Sequence, residues 1–210
     1  TMQIDLEALT ARDRYKLLCG VVIPRPIAWV TTISVDGVVN VAPFSFFNVF
    51  GADPATVILG LEHQADGTPK DTTRNIDETG EYTINILTPD LNDVMVATAA
   101  RYPANVSEAA VLDLDLCPSA KIAPPRLTCA PVALECRKTL ALSLSPERSI
   151  MIGEAITLSA REGLIDVERN HVNWEGHYPT ARLFGDKYAR LVETKSMNIP
   201  PIAPKRRNTT

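Results

Sequence analysis

Pro26 to Ser34 reads P-I-A-W-V-T-T-I-S, and Val35-Asp36-Gly37 follows it before V-V-N-V-A at Val38 to Ala42. The first run is rich in β-branched and aromatic residues, which fit a pleated, half-buried surface. Gly37 tolerates positive φ, so the three residues between the runs read as a turn and the whole as a β-hairpin. A second apolar run, Phe44 to Phe50, stops at Gly51-Ala52-Asp53-Pro54, and Thr56 to Leu61 is the strand expected after that turn.

Beyond Leu61 the texture changes. Asp71 to Thr79 is polar with Ile76 as its apolar point, opens on capping-type residues and stops at Gly80, which predicts a short helix with Asp71 as its N-cap. Tyr82 to Leu87 returns to a strand, and Thr88-Pro89 opens a helical face that runs through Leu91, Val94, Met95 and Thr98 to about Ala100. Five prolines between Arg101 and Pro131 predict a loop-rich excursion with a short helix around Ser107 to Leu112. Val132 to Leu144 and Ile150 to Arg161 are the longest β-like runs and read as a hairpin across Ser145-Pro146-Glu147-Arg148; Tyr188 to Thr194 is a candidate last strand.

Many short strands with few helices point to a mostly β fold: an antiparallel Greek-key split β-barrel with a few peripheral α-helices. Regular alternation of strand and helix, which a parallel α/β sheet needs, is missing. The expected organisation is one domain over residues 1–199 and a Pro-rich, basic tail over 200–210 that contains Lys205, Arg206 and Arg207.

Composition narrows the function classes. Hydrophobic residues make up 45% and charged residues 22% of 210, which suits a chain that buries a core. A formal net charge of -4 argues against nucleic acid as the main partner. No run approaches the ~18–20 apolar residues that span a bilayer, and the polar opening lacks a signal-peptide pattern, so no membrane partner and a cytoplasmic location are expected. Cys19, Cys117, Cys129 and Cys136 are scattered, with buried free thiols as the expectation. His63, His171 and His177 have no metal-pair spacing, and no metal is expected; His171 and His177, flanking Trp174, suit a surface or subunit contact. The glycine and serine fingerprints of Rossmann enzymes, P-loop NTPases and α/β-hydrolases are absent.

Two segments carry candidate chemistry. In Asn40 to Asn48, N-V-A-P-F-S-F-F-N, Phe46 and Phe47 offer apolar surface to a flat ring, Ser45 and Asn48 can hydrogen-bond, and Pro43 leaves a gap in the ladder of donors. An edge strand packing two phenylalanines inward is the alternative. In Gly67 to Thr73, G-T-P-K-D-T-T, Lys70, Thr72 and Thr73 stand at a helix start, where free N–H groups favour a phosphate. A capped helix with a solvated lysine is the alternative there.

Taken in order, these pieces resemble the flavin reductase-like family, whose members fold as an FMN-binding split barrel. The likeness spans roughly Val22 to Met197. It rests on R-P-I-A-W-V-T-T at Arg25 to Thr32, the Asp36-Gly37 turn, the Asn40 to Asn48 segment and K-D-T at Lys70 to Thr72. Y-P-A-N-V-S-E at Tyr102 to Glu108, A-P-V-A-L-E-C at Ala130 to Cys136 and R-L-F-G-D-K-Y at Arg182 to Tyr188 add to it, the last with Phe184-Gly185 where two glycines are common. The resemblance implies a homodimer with FMN in a groove between subunits. The isoalloxazine would lie near Trp29, Val30, Thr31 and Thr32 and against Ser45, Phe46, Phe47 and Asn48, with the phosphate at Lys70 and Thr72 and Asp71 between them in the cofactor-binding segment, its charge turned to the backbone. It implies hydride transfer from NADH or NADPH to flavin, with an oxygenase or another electron acceptor as partner. An electron-transfer protein that holds FMN with little NAD(P)H oxidation uses the same pocket, and a flavin-free interaction module would use the aromatic wall as a dimer contact.

Overall fold

The computed structural model describes residues 1–199; the basic tail expected over 200–210 lies outside them. Its centre is a seven-stranded antiparallel sheet whose order is β3-β2-β6-β9-β10-β5-β4. The strands are β2 (Ala28–Ile33), β3 (Val39–Phe44), β4 (Phe47–Ala52), β5 (Ala55–Glu62), β6 (Glu81–Ile86), β9 (Val132–Ser145) and β10 (Arg148–Ala160). Short strands flank them: β1 (Arg25–Pro26), β7 (Leu116–Cys117), β8 (Arg126–Leu127), β11 (Ile165–Asp166), β12 (His171–Val172), β13 (Ala181–Arg182) and β14 (Tyr188–Ala189). Strand order and curl make this the mostly β split barrel expected, with hairpins β2–β3, β4–β5 and β9–β10 and a long crossover from β5 to β6.

β2 is buried on both faces, and its period of two sends neighbours into separate cores. Ala28 and Val30 join the core of Leu59, Leu61, Tyr82 and Met151, while Ile27 and Trp29 join that of Val41, Leu87, Met95 and Leu127. Gly37 takes the turn before β3 at φ 84°. Pro43 is tolerated because β3 is an edge strand and needs no complete ladder.

The crossover contains helix α2 (Asp71–Thr79), ended by Gly80 at φ 73° as its sequence predicts. Its N-cap is Lys70, however, one residue before the expected Asp71, and no side chain caps it. Asp71 sits in the first turn and its carboxylate accepts from Arg74 Nη2 at 2.5 Å. Two amide–hydroxyl bonds pin this helix to the hairpin: Asn40 Nδ2 donates to Thr72 Oγ1 at 2.8 Å and Asn75 Nδ2 to Thr32 Oγ1 at 3.0 Å.

Helix α1 (Ala11–Val21) has no counterpart in the sequence reading. It buries only Cys19 and leaves Tyr15, Leu18 and Val21 exposed, and its legible mark is the cap in which Thr10 Oγ1 accepts from Asp13 N–H at 3.2 Å. The helix expected from Thr88 to Ala100 is split into a 3-10 turn, Pro89–Leu91, and α3 (Asn92–Ala97); α4 spans Glu108–Val111. The last strand is shorter than expected, ending at Ala189. All four cysteines are free, but only Cys19 and Cys136 are buried; Cys117 is half-buried and Cys129 exposed.

Candidate active site

Three adjoining clefts run along the open edge of the sheet. The first is lined by Asn40, Ala42, Lys70, Thr72, Tyr102 and Glu108, among others. The second shares Pro43, Phe44 and Lys70 with it and adds Tyr15, Ser45, Phe46, Gly60, Glu62 and Arg148. The third shares Ser45, Phe46 and Arg148 with the second and continues over Phe47, Asn48, Phe50 and Ile58 to Arg25. Phe46 and Lys70 therefore line one cleft, with the aromatic wall at one end of the run and the start of α2 at the other.

Local structure explains this meeting. β3 and β4 are consecutive, but they stand at opposite edges of the sheet, so the chain must cross at Ser45-Phe46. Phe46 is held there because Gly60 N–H donates to its carbonyl at 2.6 Å. Its ring is over a third exposed, and the tilted Tyr15 ring of α1 stands 6.1 Å away. Phe47 is half-buried against the first core, and Asn48 is exposed, its side-chain oxygen accepting from Val49 N–H at 2.8 Å.

Lys70 Nζ donates to Glu62 Oε2 at 3.0 Å, and Arg148 Nη2 reaches Glu62 Oε1 at 3.3 Å. Thr72 is buried and accepts from Asn40, and among the described residues its own hydroxyl proton has no acceptor and can be donated. Of the residues expected at the site, Ser45, Phe46, Phe47, Asn48, Lys70, Asp71 and Thr72 are brought together along the clefts. Trp29, Val30, Thr31 and Thr32 lie wholly buried behind them. Trp29 Nε1 donates to Thr98 Oγ1 at 2.9 Å, next to the segment 99–102 that borders the first cleft.

Residues with no role in the sequence reading also border the clefts. Glu108 is buried, and its Oε2 accepts from Val41 N–H at 2.9 Å, tying α4 to the edge strand. Burial raises its pKa, the hydrogen bond from Val41 opposing this. Arg25 is buried and joins the C-terminal hairpin to the site, donating from Nη2 to the Leu183 carbonyl at 2.8 Å. Neither role could be read locally, because each partner is far away in sequence. His63 is bound to Pro146 and Ser149 of the β9–β10 hairpin, whereas His171 and His177 are exposed.

A split barrel with an aromatic cleft that opens onto a helix start defines a class of flavin-handling proteins. The chain belongs to the flavin reductase-like family: the model of the flavin reductase like domain matches residues 21–182. A Deinococcus radiodurans protein is 40% identical over 174 residues, covering 80% of this chain and 76% of its own length. Two crystal structures share the fold closely. The 2-nitrobenzoate 2-nitroreductase NbaA of Pseudomonas fluorescens is 34% identical with a TM-score of 0.89, over 98% of this chain and 100% of that one. Nitrilotriacetate monooxygenase component B of Bacillus cereus is 33% identical with a TM-score of 0.89, over 94% and 98%. Among the described residues no helix is long and apolar enough to cross a membrane.

Proposed function

We propose that this protein is an NAD(P)H:flavin oxidoreductase that holds FMN along the three clefts and works as a homodimer. The observation that carries this reading is that Phe46 and Lys70 line one cleft. Phe46 and Phe47 give the ring its apolar wall, and Ser45 and Asn48 reach its polar edge. Lys70, the Thr72 hydroxyl and the first N–H groups of α2, which no side chain caps, receive the phosphate. Asp71 stays turned to Arg74 and so leaves the helix start open to an anion.

Glu62 is only a small obstacle to phosphate. Its pairs with Lys70 and Arg148 are solvent-exposed, and such pairs contribute about 0–1 kcal/mol. A dianion at the helix start competes well against that. FMN, when bound, supplies the hydride-accepting ring; the chain orients it, hydrogen-bonds its edge and limits access, with no acid–base dyad required.

The homodimer is supported by an exposed apolar face. Leu140, Leu142 and Leu144 of β9 are exposed, as are Val49 and Phe50 of β4. Leu140 pairs through Ile152 and Ile58 to Asn48, so this face and the third cleft are one surface, which fits a flavin groove between two copies. Released or transferred electrons go to an oxygenase or another acceptor, a role suggested by the monooxygenase component named above.

The test is steady-state oxidation of NADH and of NADPH with added FMN, alongside a visible spectrum of the FMN-loaded protein. Turnover with either donor is expected. Bound FMN without turnover would replace the reductase with an electron-transfer protein, and no flavin binding at all would remove both.

A further inference from the structure

One of the acids that line the clefts has no cation. Asp71 is paired with Arg74, and Glu62 with Lys70 and Arg148, but among the described residues no cation comes within salt-bridge distance of Glu108. Glu108 is 5% exposed, and its Oε2 is taken by Val41 N–H. Its Oε1 meets no donor from another described residue and yet is not sealed from solvent, so it opens on the first cleft, which the residue lines.

Thr72 stands beside it. Its hydroxyl accepts from the Asn40 amide, and Asn40 and Val41 are consecutive, so the hydroxyl and the Glu108 carboxyl flank one step of β3. Both line, with Lys70, a cleft of about 220 Å³. Ionised, Glu108 puts a buried, unpaired charge of the wrong sign where an anion is received; protonated, it is a donor. Burial favours the protonated form, and the charge of Asp71 adds to this. A phosphate in the same cleft pushes further in that direction. The other charged or titratable groups facing the cleft are Lys70 at the start of α2 and Arg101 and Tyr102 of the segment 99–102; β3 brings none.

We propose that Glu108 is a further phosphate ligand that works through a proton: protonated, its Oε1 donates to the phosphate of FMN, and ionised, its charge repels it. Binding of FMN then draws a proton onto Glu108, and by linkage the affinity falls by up to about tenfold per pH unit as the free carboxyl ionises. FMN is held at low pH and let go as pH rises. This role rests on the phosphate seat at α2 argued above.

The experiment measures the dissociation constants of FMN and riboflavin for the wild type and Glu108→Gln from about pH 5 to 9. The variant keeps an oxygen for Val41 and offers an amide N–H to the cleft, which is the bonding pattern of the protonated acid without its titration. The phosphate's own second ionisation, near about pH 6, is common to both proteins and cancels between them. FMN should bind the two about equally at the acid end and the variant at least about tenfold more tightly at the alkaline end, while riboflavin shows no such divergence. Parallel FMN profiles for the two proteins, or the same divergence with riboflavin, would overturn the proposal. Should the variant fail to fold, calorimetry of wild-type FMN binding in buffers of different ionisation enthalpy decides, and no proton taken up anywhere in that range overturns it. FMN and riboflavin binding alike at every pH would instead remove the phosphate seat itself, whereas an FMN preference equal in both proteins at every pH removes Glu108 alone.

Discussion

Gly60 and Phe46 are in contact through backbone: Gly60 N–H donates to the Phe46 carbonyl at 2.6 Å, and a methyl group on Gly60 would stand 2.8 Å from Phe46 Cβ. Cβ cannot swing aside as a ring tip can, so Gly60→Ala must move the Ser45-Phe46 crossing itself. Overpacking of this kind costs about 1–3 kcal/mol. We expect the variant to fold with a lowered melting temperature and to bind FMN about tenfold more weakly. Flavin fluorescence titration checks the second effect, and an unchanged affinity would separate Phe46 from the flavin wall.

Glu62 holds Lys70 and Arg148 at once, so its charge competes with any anion brought to either. Glu62→Gln should tighten FMN binding by about two- to fivefold at low ionic strength, and the gain should shrink as salt is added. A loss of affinity on this substitution would mean that Glu62 positions Lys70 and does not compete for it.

Burial raises the pKa of Glu108, so its protonated form is the one the fold favours. The stability it contributes is fully present below the unfolded carboxylate pKa and is lost as pH rises through the higher folded value. Glu108→Gln keeps an oxygen for Val41 N–H and removes the titration. Denaturant unfolding from about pH 4 upward should show the wild type losing stability relative to this variant as pH rises. A constant difference between the two across that range would refute the assignment.

Gly153 lies against the hydroxyl end of Tyr82, and a methyl group there would overlap the Tyr82 hydroxyl and come within 2.9 Å of the Arg137 carbonyl. That hydroxyl is buried with no hydrogen-bond partner of good geometry; its polar neighbour is the thiol of Cys136, whose pKa burial pushes up to about 12. Tyr82→Phe should therefore change stability by less than about 1 kcal/mol. Gly153→Ala should cost about 3 kcal/mol or more, and adding Tyr82→Phe should recover only part, since the Arg137 carbonyl stays in the way. Chemical denaturation of the three variants checks the cycle.

Legibility followed the range of the interactions. The β2–β3 hairpin, α2 and the β9–β10 hairpin rest on local signals, namely Gly37, Gly80 and long β-branched runs, and were readable. The N-cap of α2 missed by one residue because Lys70 is extended after Pro69 and Asp71 serves Arg74 instead. The loop-rich excursion is anchored from a distance: Glu135 accepts from Ala120 and Lys121 N–H at 2.7 Å, and Asn85 Oδ1 from Leu127 N–H at 2.8 Å. Such anchors leave no periodicity. The aromatic segment and the lysine that meet along the clefts stand out in the sequence because of their local composition, whereas Arg25 and Tyr15 join them only through the folded C-terminal hairpin and α1.

The most direct measurement compares the dissociation constants of FMN and riboflavin, which differ only in the phosphate, for the wild type and Lys70→Ala. FMN should bind at least about tenfold more tightly than riboflavin to the wild type, and most of that gap should close in the variant. Equal binding of the two flavins, or a gap that survives the loss of Lys70, would contradict a phosphate seated at the start of α2.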